Sequence, residues 1–176
     1  MPYTTMFKIT NADLGSVGRE VKAYNLDFHV SAFGGGSKVD VMLLQALFRL
    51  FYYEYQGSGS IEPPGGSSGV IEIDGICGPQ TRMHIHHYQS YLKGQGATMT
   101  IDGVICPYKK QGMLTSHTHV KYQLEILNAQ CYKLACDCGD EYAHQRIADP
   151  KFHSAAEIYP PALRNALRAP PRMAKG

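Results

Sequence analysis

A chain of 176 residues, 44% of them hydrophobic, can bury one ordinary core, and the length favours one domain with decorations over two very small ones. The net charge of +2, with Lys and Arg scattered and without a run, leaves no electrostatic footprint for nucleic acid or an acidic membrane surface. No apolar run approaches the roughly 18 to 20 residues that span a bilayer, and "MPYTTMFKITNADLG" has neither the basic start nor the apolar stretch of an export signal, so neither nucleic acid nor a membrane span is expected and localisation stays open.

The first elements are strands. In "AYNLDFHV", Tyr24, Leu26, Phe28 and Val30 alternate with Asn25, Asp27 and His29, the period of a half-buried strand; "MFKIT" is a shorter candidate. "AFGGGS" breaks the chain, and Ser37 or Asp40 can cap a helix starting there. "SKVDVMLLQALFRLFYYEYQ" predicts that helix, with Val41, Leu44, Phe48, Phe51 and Tyr55 at helical spacing. Met42, Leu43, Ala46 and Leu50 make its other side apolar too, so it must be covered on more than one side.

"QGSGSIEPPGGSSG" reads as a loop. Two strand-like pieces, "VIEID" and "TMTID", lead into Asp-Gly turns at Asp74-Gly75 and Asp102-Gly103. Between them Pro79 suits a helix's first turn, and an amphipathic helix runs from Thr81 to about Lys93, closed by Gly94 and Gly96. Beyond an irregular connector, "THVKYQLEILNAQCYKLAC" predicts a third helix with Val120, Leu124, Leu127, Cys131 and Leu134 facing the core. A short helix is expected in "DEYAHQRIA", another at "PALRNALR" behind Pro160-Pro161, and a disordered end in "APPRMAKG".

Five cysteines, an odd number, cannot all pair within one chain. Buried small hydrophobes are one reading, a disulfide or metal role the other, and "CYKLACDC" lacks the Cys-x-x-Cys spacing of a zinc site.

"IDGICGP" and "IDGVICP" repeat one device 28 residues apart, a tight Asp-Gly turn followed by a Pro. The set Val41, Leu44, Gln45, Leu47 and Phe48, then Asp74-Gly75-Ile76, Gly78, Pro79, Thr81, Ile85, Tyr88 and Gln89, then Asp102-Gly103-Val104, resembles the peptidoglycan-binding-like (PGBD-like) domain of bacterial and phage cell-wall enzymes. The resemblance covers roughly Ser37 to Pro107. It implies a mainly α fold, a three-helix bundle, here carrying a small N-terminal β extension and extra C-terminal helices. It also implies a role in holding a protein on peptidoglycan beside a separate catalytic domain, which would place the chain at the cell envelope. On this reading residues 1–36 are a β-rich extension packed on the core, 37–138 the core with loop insertions, and 139–176 a helical extension and tail. This chain departs from the family in its long Gly/Ser/Pro loop, in Cys106 where the second repeat loses its Gly, and in an insertion before the third helix.

At 100° per residue, Thr81, Ile85, Tyr88 and Leu92 form one buried stripe of the second helix, with His84, His87 and Tyr91 on one flank and Arg82, His86, Gln89 and Lys93 on the other. His84 and His87 could share a metal only with further ligands such as His117 and His119; the alternative is satisfied surface or boundary histidines. His84 stands where the family has a small Ala, so either the helices sit further apart or His84 has a partner.

The leading functional expectation is a non-catalytic module binding the glycan or stem peptide of peptidoglycan. Aromatic faces stack on sugar rings, while Arg, Gln and His bond hydroxyls and carboxylates. Candidate ligand-binding residues are Tyr52, Tyr53 and Tyr55 near the end of the first helix, with Arg82, His86, Gln89 and Tyr91 on the second. The alternative is a protein-interaction scaffold on the same fold. A cell-wall hydrolase is the third reading: "TSHTHV" has no following Gly-Cys and Cys77 lies inside a structural turn, so no catalytic residue, cofactor or metal is expected.

Overall fold

The structure, a computed structural model, describes residues 1–9, 19–54, 61–65, 69–108, 122–139, 147–148 and 158–168. The described elements, in chain order, are strands β1 (Tyr3–Ile9), β2 (Arg19–Asn25) and β3 (Val30–Ser31), helices α1 (Lys38–Arg49) and α2 (Pro79–Gly94), strand β4 (Val104–Ile105), and helices α3 (Gln123–Asp137) and α4 (Pro161–Leu167). The chain is mainly α, with two small antiparallel sheets, β1–β2 and β3–β4.

Helix α1 begins where a reciprocal cap places it. Ser37 Oγ accepts the Asp40 amide at 3.2 Å, and the Asp40 carboxylate accepts the Ser37 amide at 3.1 Å. Asp40 is fully buried and also accepts the Asp27 amide at 2.9 Å, so the cap ties the incoming chain to the helix. Every residue from Asp40 to Phe48 is buried, as an apolar circumference demands. The helix then widens into a π turn over Leu50–Glu54, which aims both Tyr52 and Tyr53 at α2.

Helix α2 opens with Pro79 at its first position and buries Thr81, Ile85, Tyr88 and Leu92 along the expected stripe. In α3 the buried Leu124, Leu127 and Cys131 follow the expected seam, while Val120 lies outside the described residues. Phe48, Phe51, Tyr52 and Tyr88 interlock between α1, its π turn and α2 at ring separations of 4.8 to 6.1 Å. Helix α4 starts at Pro161, as expected, and packs against α1 and β1 through Leu163, Ala166 and Leu167. The helix expected in "DEYAHQRIA" and the tail "APPRMAKG" lie largely or wholly outside the described residues.

The N-terminal segment is held by side chains that imitate a strand partner. Asn128 of α3 takes the Tyr24 amide on Oδ1 and donates Nδ2 to the Tyr24 carbonyl, both at 2.9 Å. Asn25 does the same for Tyr108, accepting its amide at 3.2 Å and donating to its carbonyl at 2.7 Å. Val30 pairs with Ile105 and Ser31 with Val104, joining this segment to the chain after the second Asp-Gly turn.

Two strand expectations are corrected. The strand through "AYNLDFHV" stops at Asn25, because the Asp40 carboxylate takes the Asp27 amide and bends the chain out of the ladder, leaving Phe28 58% exposed. "VIEID" and "TMTID" are not strands: the short pairing partner β3 meets Val104–Ile105, beyond the second turn, instead of the residues before it.

Candidate functional site

The two Asp-Gly turns share one clamp of hydrogen bonds. In the first, the Gln45 amide donates to Asp74 Oδ1 at 2.8 Å and the Ile76 carbonyl at 3.1 Å, and its oxygen accepts the Gly75 amide at 2.9 Å. In the second, Gln89 donates to Asp102 Oδ1 at 2.8 Å and the Val104 carbonyl at 3.1 Å, and accepts the Gly103 amide at 2.9 Å. Each Asp also accepts the amide two residues ahead, Ile76 and Val104. A third acceptor completes each set, Thr81 Oγ1 in the first and Gln123 Oε1 in the second, both in the opening turn of a following helix. Gly75 and Gly103 hold φ of 76° and 70°, which only glycine adopts without strain. Gln45 and Gln89 are buried, and a buried amide is tolerated because all its groups are bonded.

The π turn and α2 form a tyrosine–histidine flank. His84 is fully buried; its Nδ1 lies 2.8 Å from the Gln80 carbonyl and its Nε2 2.8 Å from Tyr53 Oη. A carbonyl only accepts, so Nδ1 carries the proton and neutral Nε2 accepts from Tyr53. Burial holds the His84 pKa below the ordinary histidine value, opposed by the Gln80 hydrogen bond and assisted by nearby His87. Tyr52 Oη sits 2.9 Å from His87 Nδ1; burial lowers the His87 pKa and, with Tyr53 and Tyr91 nearby, raises that of Tyr52. His84 therefore has a partner, and its place is the interior, not the helix surface. Among the described residues no group of three or more His, Cys, Asp or Glu is gathered for a metal; His117 and His119 lie outside them.

On the opposite flank of α2, three segments meet. The Ala32 amide donates to the Gly103 carbonyl at 2.9 Å, Cys77 Sγ to the Ser31 carbonyl at 3.3 Å, and an Arg82 guanidinium nitrogen to the Ala32 carbonyl at 3.4 Å. The His86 ring borders Gly103 so closely that a Cβ there would lie 3.2 Å from it. Phe33, next to Ala32, is 88% exposed. Burial raises the Cys77 pKa against the opposing Arg82 charge. Cys77 is half-buried and hydrogen-bonded within the junction, and all five cysteines are free thiols.

The candidate ligand residues thus divide. Arg82 and His86 lie together on the turn junction. Tyr52, Tyr53 and Tyr91 lie on the other flank, Tyr52 buried and the other two half-buried. Gln89 is buried in the second turn, with its amide engaged there, and Tyr55 lies outside the described residues. Sequence reasoning did not identify Gln45 and Gln89 as the matched clamps, although both precede an Asp-Gly and Gln45 is the odd polar residue of an apolar helix. It also passed over Phe33, which had no period to report it.

Comparison with protein-family models, with curated proteins and with solved structures finds no match to this chain.

Proposed function

We propose that the chain is a non-catalytic module that binds peptidoglycan, built on a PGBD-like helical core. The reading rests on the sequence resemblance, and the observation that carries it furthest is the duplicated Gln–Asp-Gly clamp. Two helix–turn units with the same hydrogen-bond set give a rigid base on which exposed side chains can meet a repetitive polymer. The exposed groups suit the chemistry: Arg82 and His86 offer donors to hydroxyls and carboxylates, and an aromatic face stacks on a sugar ring. No described helix is long and apolar enough to cross a membrane, and among the described elements β2 contacts α3 and α4 contacts α1.

The alternative, a protein-interaction scaffold, draws on Phe28 and Ile76, which are 58% and 63% exposed. Co-sedimentation with purified sacculi separates the two. Retention that survives moderate salt is expected for a wall module; full recovery in the supernatant refutes it and leaves the scaffold.

A further inference from the structure

Building on the wall-binding reading, we infer that the ligand seats where the N-terminal loop meets the second Asp-Gly turn, with a sugar ring on Phe33 and a carboxylate of the same glycopeptide on Arg82. This puts a ligand-contacting residue in the N-terminal extension, outside the repeated core.

Phe33 is the most exposed large hydrophobic side chain among the described residues, yet its backbone is not loose. Its amide donates to Ser31 Oγ at 3.1 Å, the Gly34 amide to the Ser31 carbonyl at 3.2 Å, and the preceding Ala32 amide to the Gly103 carbonyl. A ring held out on a pinned loop presents a flat apolar face at little entropic cost, the condition for stacking. Beside it, Arg82 makes one long hydrogen bond, 3.4 Å to the Ala32 carbonyl. Among the described residues no carboxylate lies within ion-pair distance of its guanidinium. That leaves most of a planar fork of donors open to a carboxylate. The acids of the two turns, Asp74 and Asp102, each have Oδ1 committed to a clamp glutamine and a backbone amide. An exposed aromatic face one residue from the carbonyl that Arg82 contacts matches a sugar ring linked to a carboxylate-bearing peptide better than the broad apolar anchor of a protein partner. The tyrosine flank is a weaker seat, since the Tyr52 and Tyr53 hydroxyls are already bonded to His87 and His84.

The test uses the full chain with purified sacculi and with soluble disaccharide-peptides whose stem carboxylates are free or amidated. Phe33→Ala and Arg82→Gln should each weaken binding about tenfold, and Arg82→Lys should restore part of it. Amidated fragment should bind the unaltered protein about as weakly as free fragment binds Arg82→Gln. Both side chains are exposed, so the thermal midpoint of each variant should match the parent; a variant with a lowered midpoint is replaced by the fragment comparison on the parent protein. If the parent sediments with sacculi and the variants sediment equally, or Tyr91→Ala alone removes binding, the assigned seat is wrong while wall binding stands. If the parent stays in the supernatant, the wall-binding reading falls and the seat with it.

Discussion

Replacing Gln89 by Leu removes the second clamp while nearly keeping side-chain volume, which isolates hydrogen bonding from cavity formation. The two N–H groups of the amide, shared among Asp102, Val104 and Gln123, and the bond accepted from the Gly103 amide are lost together. Val104 and Asp102 are partly exposed and can recover water, but Gly103 is buried and its N–H loses its partner. An orphaned buried donor costs about 1–3 kcal/mol, and the charge-assisted bond to Asp102 about 1.5–3 kcal/mol before solvent replacement, so a net loss of about 3 kcal/mol is expected. The matching Gln45→Leu should cost less, about 2 kcal/mol, because Gly75 is only partly buried and the Ile76 carbonyl keeps a bond from Thr81 Oγ1. Urea unfolding followed by far-ultraviolet circular dichroism measures both through a shifted midpoint at constant slope. For a chain of this size, about 3 kcal/mol corresponds to a thermal midpoint lowered by about 6–12 °C. Losses below about 1 kcal/mol in both variants would show that the clamps are ornaments of the turns and not their support.

Gly75→Ala should destabilise more than Gly103→Ala, although both force a side chain into positive φ. The new Cβ at 75 meets the Lys38 carbonyl oxygen at 2.7 Å, a backbone atom that cannot swing away, whereas at 103 it meets side-chain atoms at 3.1 and 3.2 Å. The expected costs are more than about 3 and about 2 kcal/mol, read by the same urea titration. Asn128→Ala should cost about 2 kcal/mol and speed hydrogen exchange at the Tyr24 amide selectively, since that buried N–H loses its acceptor. Stability should also depend on pH through His84 and His87. Their folded pKa values lie below the ordinary 6.5, so the unfolded chain binds more protons in that window. The stabilising contribution is present above pH 6.5 and is lost as pH falls from there toward the lower folded values. His84→Gln should flatten this acid limb in unfolding midpoints measured at successive pH values; an unchanged slope would mean that His84 is not held neutral.

Much of the local structure was legible because its causes are local. Ser37 with Asp40 three residues on forms a capping box, Pro79 fits a first helical turn, and an Asp-Gly pair needs only its own backbone to turn. The buried stripe of α2 followed from spacing alone. The candidate site is less legible in the sequence. Helical angle alone puts Gln89 and His84 on the flanks, yet both lie inside, because partners from other segments satisfy them there: Asp102 and Gln123 for Gln89, Tyr53 for His84.

What the amino-acid order determined by itself was the helical periods, the caps and the two turns, each decided by interactions within a few residues. Tertiary structure alone decided which polar side chains enter the interior and which surfaces adjoin. Asn128 reaches Tyr24 across 104 positions, and the Phe33 loop lies against Gly103 through a backbone bond. A polar group goes inside only when a distant segment supplies its hydrogen bonds, and no local pattern carries the address of that segment.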